Sequence, residues 1–274
     1  MKAVIVGHLC IDHNISENST YTAAGGSAVF IDKIFRRFKN WQTTVIAPYG
    51  EDFFYVENFN LYPSRPTGRQ TLVYENISKK NSRSQKALHC DSAKPVEIDK
   101  RAKEIIAEAD ILFITPLLPN FPPPYIENIS ETKALKILLP QGYFREINGQ
   151  NNVIVRKFSE AEKILPLVDV VIVSNQDYPQ MEELARQWVI GNNLTVIVTL
   201  AEKGALILNK EGESLVPTTP VPAEEIVDSI GSGDIFSAAF AYNYFQTKNL
   251  EAAVRFANEL ARQYLFRTSG ETII

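Results

Sequence analysis

The chain has 274 residues, 45% of them apolar and 22% charged, with a formal net charge of −4. That balance describes an ordinary globular protein long enough for one large α/β unit. It offers no basic face for nucleic acid and no polybasic or apolar run for a membrane.

Residues 3–6 read as a first strand, apolar throughout, with no signal peptide ahead of it. The strand runs into Gly7-His-Leu-Cys-Ile-Asp12. A carboxylate beyond the carboxyl end of such a strand can face a crevice and accept hydrogen bonds from hydroxyls, although an ordinary loop Asp would look the same. The lone cysteines, Cys10 and Cys90, cannot form a CxxC metal pair and predict reduced thiols in the cytoplasm. Ala24-Gly-Gly-Ser27 then opens a helix over 27–38, where Gly25 and Gly26 fit either a turn or a close approach of backbone to ligand. A strand over 43–46 follows. Residues 70–76 and 83–89 break the pattern, because polar positions interleave and the turn Ser78-Lys-Lys-Asn-Ser82 is polar. They predict an exposed hairpin with one covered face, either a flap over the site or a surface ornament. From there, helices over 99–108, 159–165 and 178–189 alternate with strands over 111–115, 135–139, 170–173 and 195–199, with a stiff proline loop at 119–124. This alternation predicts a doubly wound, mostly parallel α/β sheet with ligands at the carboxyl ends of its strands. The run Val198-Thr-Leu-Ala-Glu-Lys-Gly-Ala205 reads as strand, polar turn and strand, and helices over 233–245 and 250–266 close the chain.

The richest segment is Asp228-Ser-Ile-Gly-Ser-Gly-Asp234, which leads straight into the apolar helix. The first turn of a helix has backbone N–H groups without intrahelical partners and the positive end of the dipole, which suits a phosphoryl group. A carboxylate there would repel an anion, so Asp234 makes sense as a group that takes a proton from an attacking hydroxyl. A tight turn with Asp as an N-terminal cap is the bland alternative.

Taken in order, the Asp after the first strand, the Gly-Gly pair, the Thr199-Leu-Ala-Glu-Lys-Gly204 turn and the 228–234 motif resemble the PfkB/ribokinase family of carbohydrate and nucleoside kinases. The resemblance implies a ribokinase-like fold: one Rossmann-like α/β domain over 1–274 with a small β-lid from about 14–24 and 66–92. It implies ATP as donor with Mg2+, Asp234 as general base, and Gly231, Ser232 and Gly233 as an anion hole. Asp12, Asn14, Gly25 and Gly26 would hold the acceptor. Asn175, Thr199, Lys203, Gly204, Asp228 and Asn258 would lie on the nucleotide side. The segment Leu139-Pro-Gln-Gly-Tyr-Phe-Arg145 is similar to a Gln-Gly-aromatic-x-Arg run in some members and adds Gln141 and Arg145 to the acceptor side. Metal ligands stay unassigned, because the family's Asn-x-x-Glu reads Asn175-Gln-Asp-Tyr178, with either Asp177 or water in place of the missing carboxylate. Phe30 stands where many members carry a sugar-binding Asn, as in plant inositol kinases of this family, and Ala201 replaces a glycine. There is no Gly-x4-Gly-Lys-Ser/Thr and no Gly-x-Gly-x-x-Gly after the first strand, which argues against a P-loop kinase and a nicotinamide dehydrogenase. The implied acceptor is a small sugar, polyol or cyclitol. A nucleoside kinase and a weakly catalytic binding protein are the alternatives, and a monomer or a homodimer fits equally.

Overall fold

A computed structural model of the chain describes residues 1–17, 19–79, 82–227 and 229–266. In chain order the first elements are β1 (Lys2–Gly7), β2 (Cys10–Ile15), β3 (Thr20–Gly25), α1 (Ser27–Phe35), β4 (Gln42–Ile46), β5 (Leu61–Tyr62), β6 (Leu72–Lys79) and β7 (Ser82–Leu88). There follow α2 (Lys100–Ala107), β8 (Ile111–Thr115), α3 (Pro123–Ser130), β9 (Leu135–Leu138), β10 (Arg145–Ile147), β11 (Val153–Val155) and α4 (Ala161–Ile164). The last are β12 (Val170–Ser174), α5 (Met181–Val189), β13 (Thr195–Thr199), β14 (Ala205–Asn209), β15 (Gly212–Val216), α6 (Ser232–Thr247) and α7 (Leu250–Leu265).

Strands that are apolar along their whole length must be covered on both faces, and the large sheet does this. Its order is β15-β14-β13-β12-β9-β8-β1-β4-β5, parallel from β5 to β13 and antiparallel beyond. Side chains alternate between two cores. Ala3 and Ile5 of β1 pack with α1, α6 and α7, while Val4 and Val6 pack with α2, α3 and α5. Helix α6 lies in the first of these layers, and residues 235 to 241 are all buried, so it needs no polar stripe.

The second sheet has the order β3-β2-β6-β7. Strands β2 and β6 run parallel, with Asn14 beside Asn76, and β6 and β7 run antiparallel, with Asn76 beside Gln85. The expected flap over 70–76 and 83–89 is the β6–β7 half of this sheet. Strands β2 and β3 were not read from the residue pattern, because Cys-Ile-Asp-His-Asn-Ile and Thr-Tyr-Thr-Ala-Ala-Gly are too polar to announce themselves; only the family resemblance put lid strands at about 14–24.

Three boundaries differ from expectation for local reasons. The proline loop at 119–124 ends in α3, since a proline at the first helical position gives up an N–H that has no partner there. Helix α5 starts at Met181 rather than 178, because Tyr178 precedes Pro179 and Gln180 takes φ 58. Helix α1 ends at Phe35, after which Arg37 and Phe38 donate to the carbonyls of Ile34 and Phe35 in tighter turns.

Candidate active site

A continuous cleft of about 730 Å³ runs along the carboxyl edge of the large sheet, from the second sheet at one end to α7 at the other. Asp234 stands at its middle. Helix α6 begins after Gly231, which adopts the left-handed conformation (φ 80), and no side chain caps the helix. Ser232 N–H reaches Ser229 O at 3.2 Å and Ile235 N–H reaches Gly231 O at 2.9 Å. The Gly233 and Asp234 N–H groups, within the first turn, have no intrahelical acceptor and face an anion's natural seat. Gly231 is required twice over. Its φ suits glycine, and a Cβ there would sit 2.5 Å from the Phe30 ring.

Three aspartates, Asp12, Asp177 and Asp234, gather round the Arg145 guanidinium in the cleft, and Glu202 and Arg262 also line it. Asp12 comes from β2, Asp177 follows β12, Asp234 lies in the first turn of α6, and Arg145 opens β10. The Asp234 carboxyl keeps a face open to the cleft, yet the protein packed round it displaces water and pushes its pKa up to about 6. A hydrogen bond from Ser27 and the charge of Arg145 oppose that rise, while Asp177 and Asp12 add to it. Burial likewise raises Asp12, against hydrogen bonds from Cys10 and Asn76 and the charge of Arg145. Asp177 is raised by burial and held down by Ser174 N–H (2.8 Å), Arg145 and Gln141. Arg145 is thus the common counter-ion of all three. Its guanidinium lies 5.1 Å over the Tyr74 ring and its Nη1 reaches Leu117 O at 3.5 Å, the same carbonyl that Tyr74 Oη meets at 2.8 Å.

His8 fixes that carbonyl's residue from behind. It is fully buried, its Nδ1 accepts from Leu117 N–H at 3.0 Å, and its Nε2 lies 3.0 Å from Ala93 O. Burial lowers its pKa to about 4, so it is a neutral strut at physiological pH.

Most of the expected site residues meet here. Asp12, Gly26, Gln141, Arg145, Thr199, Gly204, Gly231, Ser232, Gly233, Asp234 and Asn258 all line the cleft. Asn14 is buried behind Asn76, and Gly25 lies under Asp12. Asn258 lines the far end, but its amide already donates to Val216 O at 3.1 Å, so it fixes the loop that follows β15. Asn175 and Lys203 are exposed and do not line the cleft, and Asp228 lies outside the described residues. Asn175 N–H instead donates to Thr199 O and joins the two strand ends. Ser27, Tyr74, Asn76 and Gln85 were not singled out from sequence, and only Ser27 carried a signal there, as the first residue after the paired glycines.

A mutation tests the Asp12 seat. A methyl at position 25 would lie 2.1 Å from Asp12 Oδ2. Gly25→Ala is expected to displace that carboxylate and lower acceptor kcat/KM by about 10²-fold, with the donor KM unchanged. Steady-state kinetics varying each substrate in turn checks it.

A helix start built on glycines with a raised carboxylate beside it, at the carboxyl edge of a doubly wound sheet, is an arrangement that suits a small-molecule kinase. The chain belongs to the pfkB family of carbohydrate kinases, whose family model matches residues 91–273. Among relatives, it is 26% identical over 160 residues to the cytidine kinase of Thermococcus kodakarensis, a stretch covering 58% of this chain and 56% of that protein. It is 41% identical over 66 residues to the ribokinase of Bacillus subtilis, covering 24% of this chain and 22% of that one. The chain thus spans about half the length, or less, of these curated relatives. In fold it is similar to a pyrophosphate-dependent kinase in the ribokinase family, with a TM-score of 0.75 at 19% identity over 97% of this chain and 95% of that one. It is also similar to the ribokinase of Thermotoga maritima, with a TM-score of 0.70 at 20% identity over 97% and 93%.

Proposed function

We propose that the protein transfers the γ-phosphoryl group of ATP to a hydroxyl of a small neutral sugar, polyol or cyclitol. The observation that carries this reading is Asp234, a carboxylate with pKa about 6 beside the free amides of a helix terminus. At neutral pH it is ionised yet basic enough to accept a proton from the attacking hydroxyl. The Gly231–Gly233 loop receives the phosphoryl oxygens, and positioning supplies most of the remaining acceleration.

The acceptor end supports the neutral class. Arg145 faces Asp12 and Asp234 there, which leaves that end net negative and disfavours an anionic acceptor. Tyr74, an aromatic ring at this end, is already covered by Arg145 and bonded through its hydroxyl, which offers a nucleobase little stacking surface. The donor end supports ATP over pyrophosphate. Pro220, Ile226, Ala261 and Leu265 line a largely apolar slot that suits a purine ring. Thr199 and Gly204 border the slot's approach to the phosphates.

Among the described residues no cluster of three or more His, Cys, Asp or Glu forms a metal cage. Mg2+ does not need one, since it keeps water and takes one or two carboxylates together with substrate phosphates. Asp177, a cleft carboxylate that feels Arg145 and acts on Asp234, fits that duty, and the ion, when bound, would neutralise charge on the donor's phosphates. Among the described residues no helix is long and apolar enough to cross a membrane.

The reading is tested by measuring ADP release from ATP with a panel of myo-inositol, ribitol, D-ribose and cytidine, using Asp234→Asn as the control. Turnover of a polyol or sugar that vanishes in the control is the expected result. Turnover of cytidine alone would replace the polyol class with a nucleoside, and no turnover of any would overturn the kinase reading.

A further inference from the structure

The inner face of the second sheet carries a row of amides at one register level, Asn14 on β2, Asn76 on β6 and Gln85 on β7. Asn14 and Asn76 are buried, and Gln85 lines the cleft. Asn76 Nδ2 donates to Asn14 Oδ1 at 3.0 Å, and Gln85 Nε2 donates to Asn76 Oδ1 at 2.6 Å. Asn76 also donates to the carboxylate of Asp12.

These contacts have a direction, and Asp12 sets it. An ionised carboxylate only accepts hydrogen bonds, so the neighbouring Asn76 must turn its NH2 group toward Asp12. Both protons of that group are then committed, one to Asp12 and one to Asn14, and the Asn76 carbonyl faces the other way. It can only be met by a donor, which fixes Gln85 with its NH2 toward Asn76. The Gln85 carbonyl oxygen is left over, and it has no protein partner among the described residues. Such a chain also polarises along its length, which strengthens each member.

Gln85 is held in place from its other side. Ala87 N–H donates to Asn151 O at 2.9 Å and Lys86 pairs with Asn152, so the loop of the β10–β11 hairpin clasps β7. That hairpin opens with Arg145. The position of Gln85 is therefore tied to that of Arg145.

Resting on the proposed kinase reading, we infer that Gln85 is a specificity-determining residue, whose carbonyl oxygen, oriented through Asn76 by Asp12, accepts a hydrogen bond from a second hydroxyl of the acceptor. Asp12 and Gln85 together read two hydroxyls at a fixed spacing, and an acceptor that lacks one, or carries it with inverted configuration, leaves a polar group unpaired.

The test measures kcat and KM for myo-inositol, its epimer scyllo-inositol, ribitol, D-ribose and cytidine in the wild-type, Gln85→Leu and Gln85→Glu proteins, with the ATP KM and melting temperature alongside. Gln85→Leu is expected to lower kcat/KM for the preferred acceptor by about 10-fold. It should also compress the ratio between acceptors, with the ATP KM unchanged. Gln85→Glu keeps an acceptor oxygen but, ionised, cannot donate to Asn76, so it should lose at least as much. Unchanged acceptor ranking in Gln85→Leu overturns this inference and leaves the kinase reading standing. A fall in melting temperature with unchanged acceptor kinetics also overturns it, since it assigns Gln85 a purely structural role. Wild-type protein that neither turns over nor is thermally stabilised by any of the five compounds overturns both. If cytidine alone is turned over, the polyol class falls and the Gln85 assignment is read on the cytidine rate.

Discussion

Asp234→Asn is expected to lower kcat by about 10²–10⁴-fold, the usual contribution of a general base, while the affinity for ATP holds. The same substitution should make the protein more resistant to heat, and the two effects together separate a working base from a structural cap. Folding raises the Asp234 pKa from 3.8 to about 6 because burial disfavours the charged form. A carboxyl with a raised folded pKa stabilises the fold below its unfolded value and loses that benefit as pH climbs through 6. At pH 8 the ionised group therefore costs up to about 3 kcal/mol relative to a neutral amide, an upper figure because its cleft face remains wetted. Melting curves at pH 8 should place Asp234→Asn several degrees above wild type, and the gain should be gone at pH 4. The wild-type kcat should rise with pH through a midpoint near 6. A variant with near-normal kcat, or with no gain at pH 8, removes Asp234 from the role.

Arg145→Met is expected to have the next largest effect. Arg145 lowers the pKa of Asp12, Asp177 and Asp234 alike, and methionine keeps the volume over Tyr74 without the charge. With the cation gone, all three carboxylates rise further. The acid limb of the kcat profile should move to higher pH, and acceptor kcat/KM at pH 7.5 should fall by about 10²-fold as the site loses its geometry. Stability should follow the same charges. Without the cation the three ionised aspartates repel one another unopposed, so the variant should melt early at pH 8 and approach wild type as the carboxylates protonate at low pH. An unshifted acid limb would show that Arg145 does not set the electrostatics of the cleft.

The parallel core was legible because burial on both faces demands apolar runs, and residues 3–6, 111–115 and 195–199 have them. The helix start proposed as an anion seat could be located in the sequence too, since Gly231, Gly233 and Asp234 form one local segment. What escaped notice depends on partners far away in the chain. Ser27 reaches Asp234 across more than two hundred residues, and its hydroxyl is unremarkable until α1 and α6 pack together. Asn76 and Gln85 looked like the polar face of a surface hairpin, and their polarity has meaning only beside Asp12. Asn258 was read as a nucleotide neighbour, and it does line the cleft, but its donation to Val216 O joins positions 42 residues apart and could not be foreseen. Lys203 was carried over by motif position, and the short turn around it points its side chain outward.

The parallel pairing of β2 with β6 carries a mechanical consequence. Two strands that run the same way cannot be joined by a hairpin, so after β3 the chain leaves for α1, β4 and β5 before it returns as β6. The smaller sheet is consequently lashed to the larger one by four separate backbone crossings. A plate moored at four points is held more firmly than one that hangs from a single connection. Asp12 belongs to that plate and Asp234 to the larger layer, while Arg145 sits on a hairpin fastened to β7 of the plate, so a molecule that touched both aspartates would bridge the two layers.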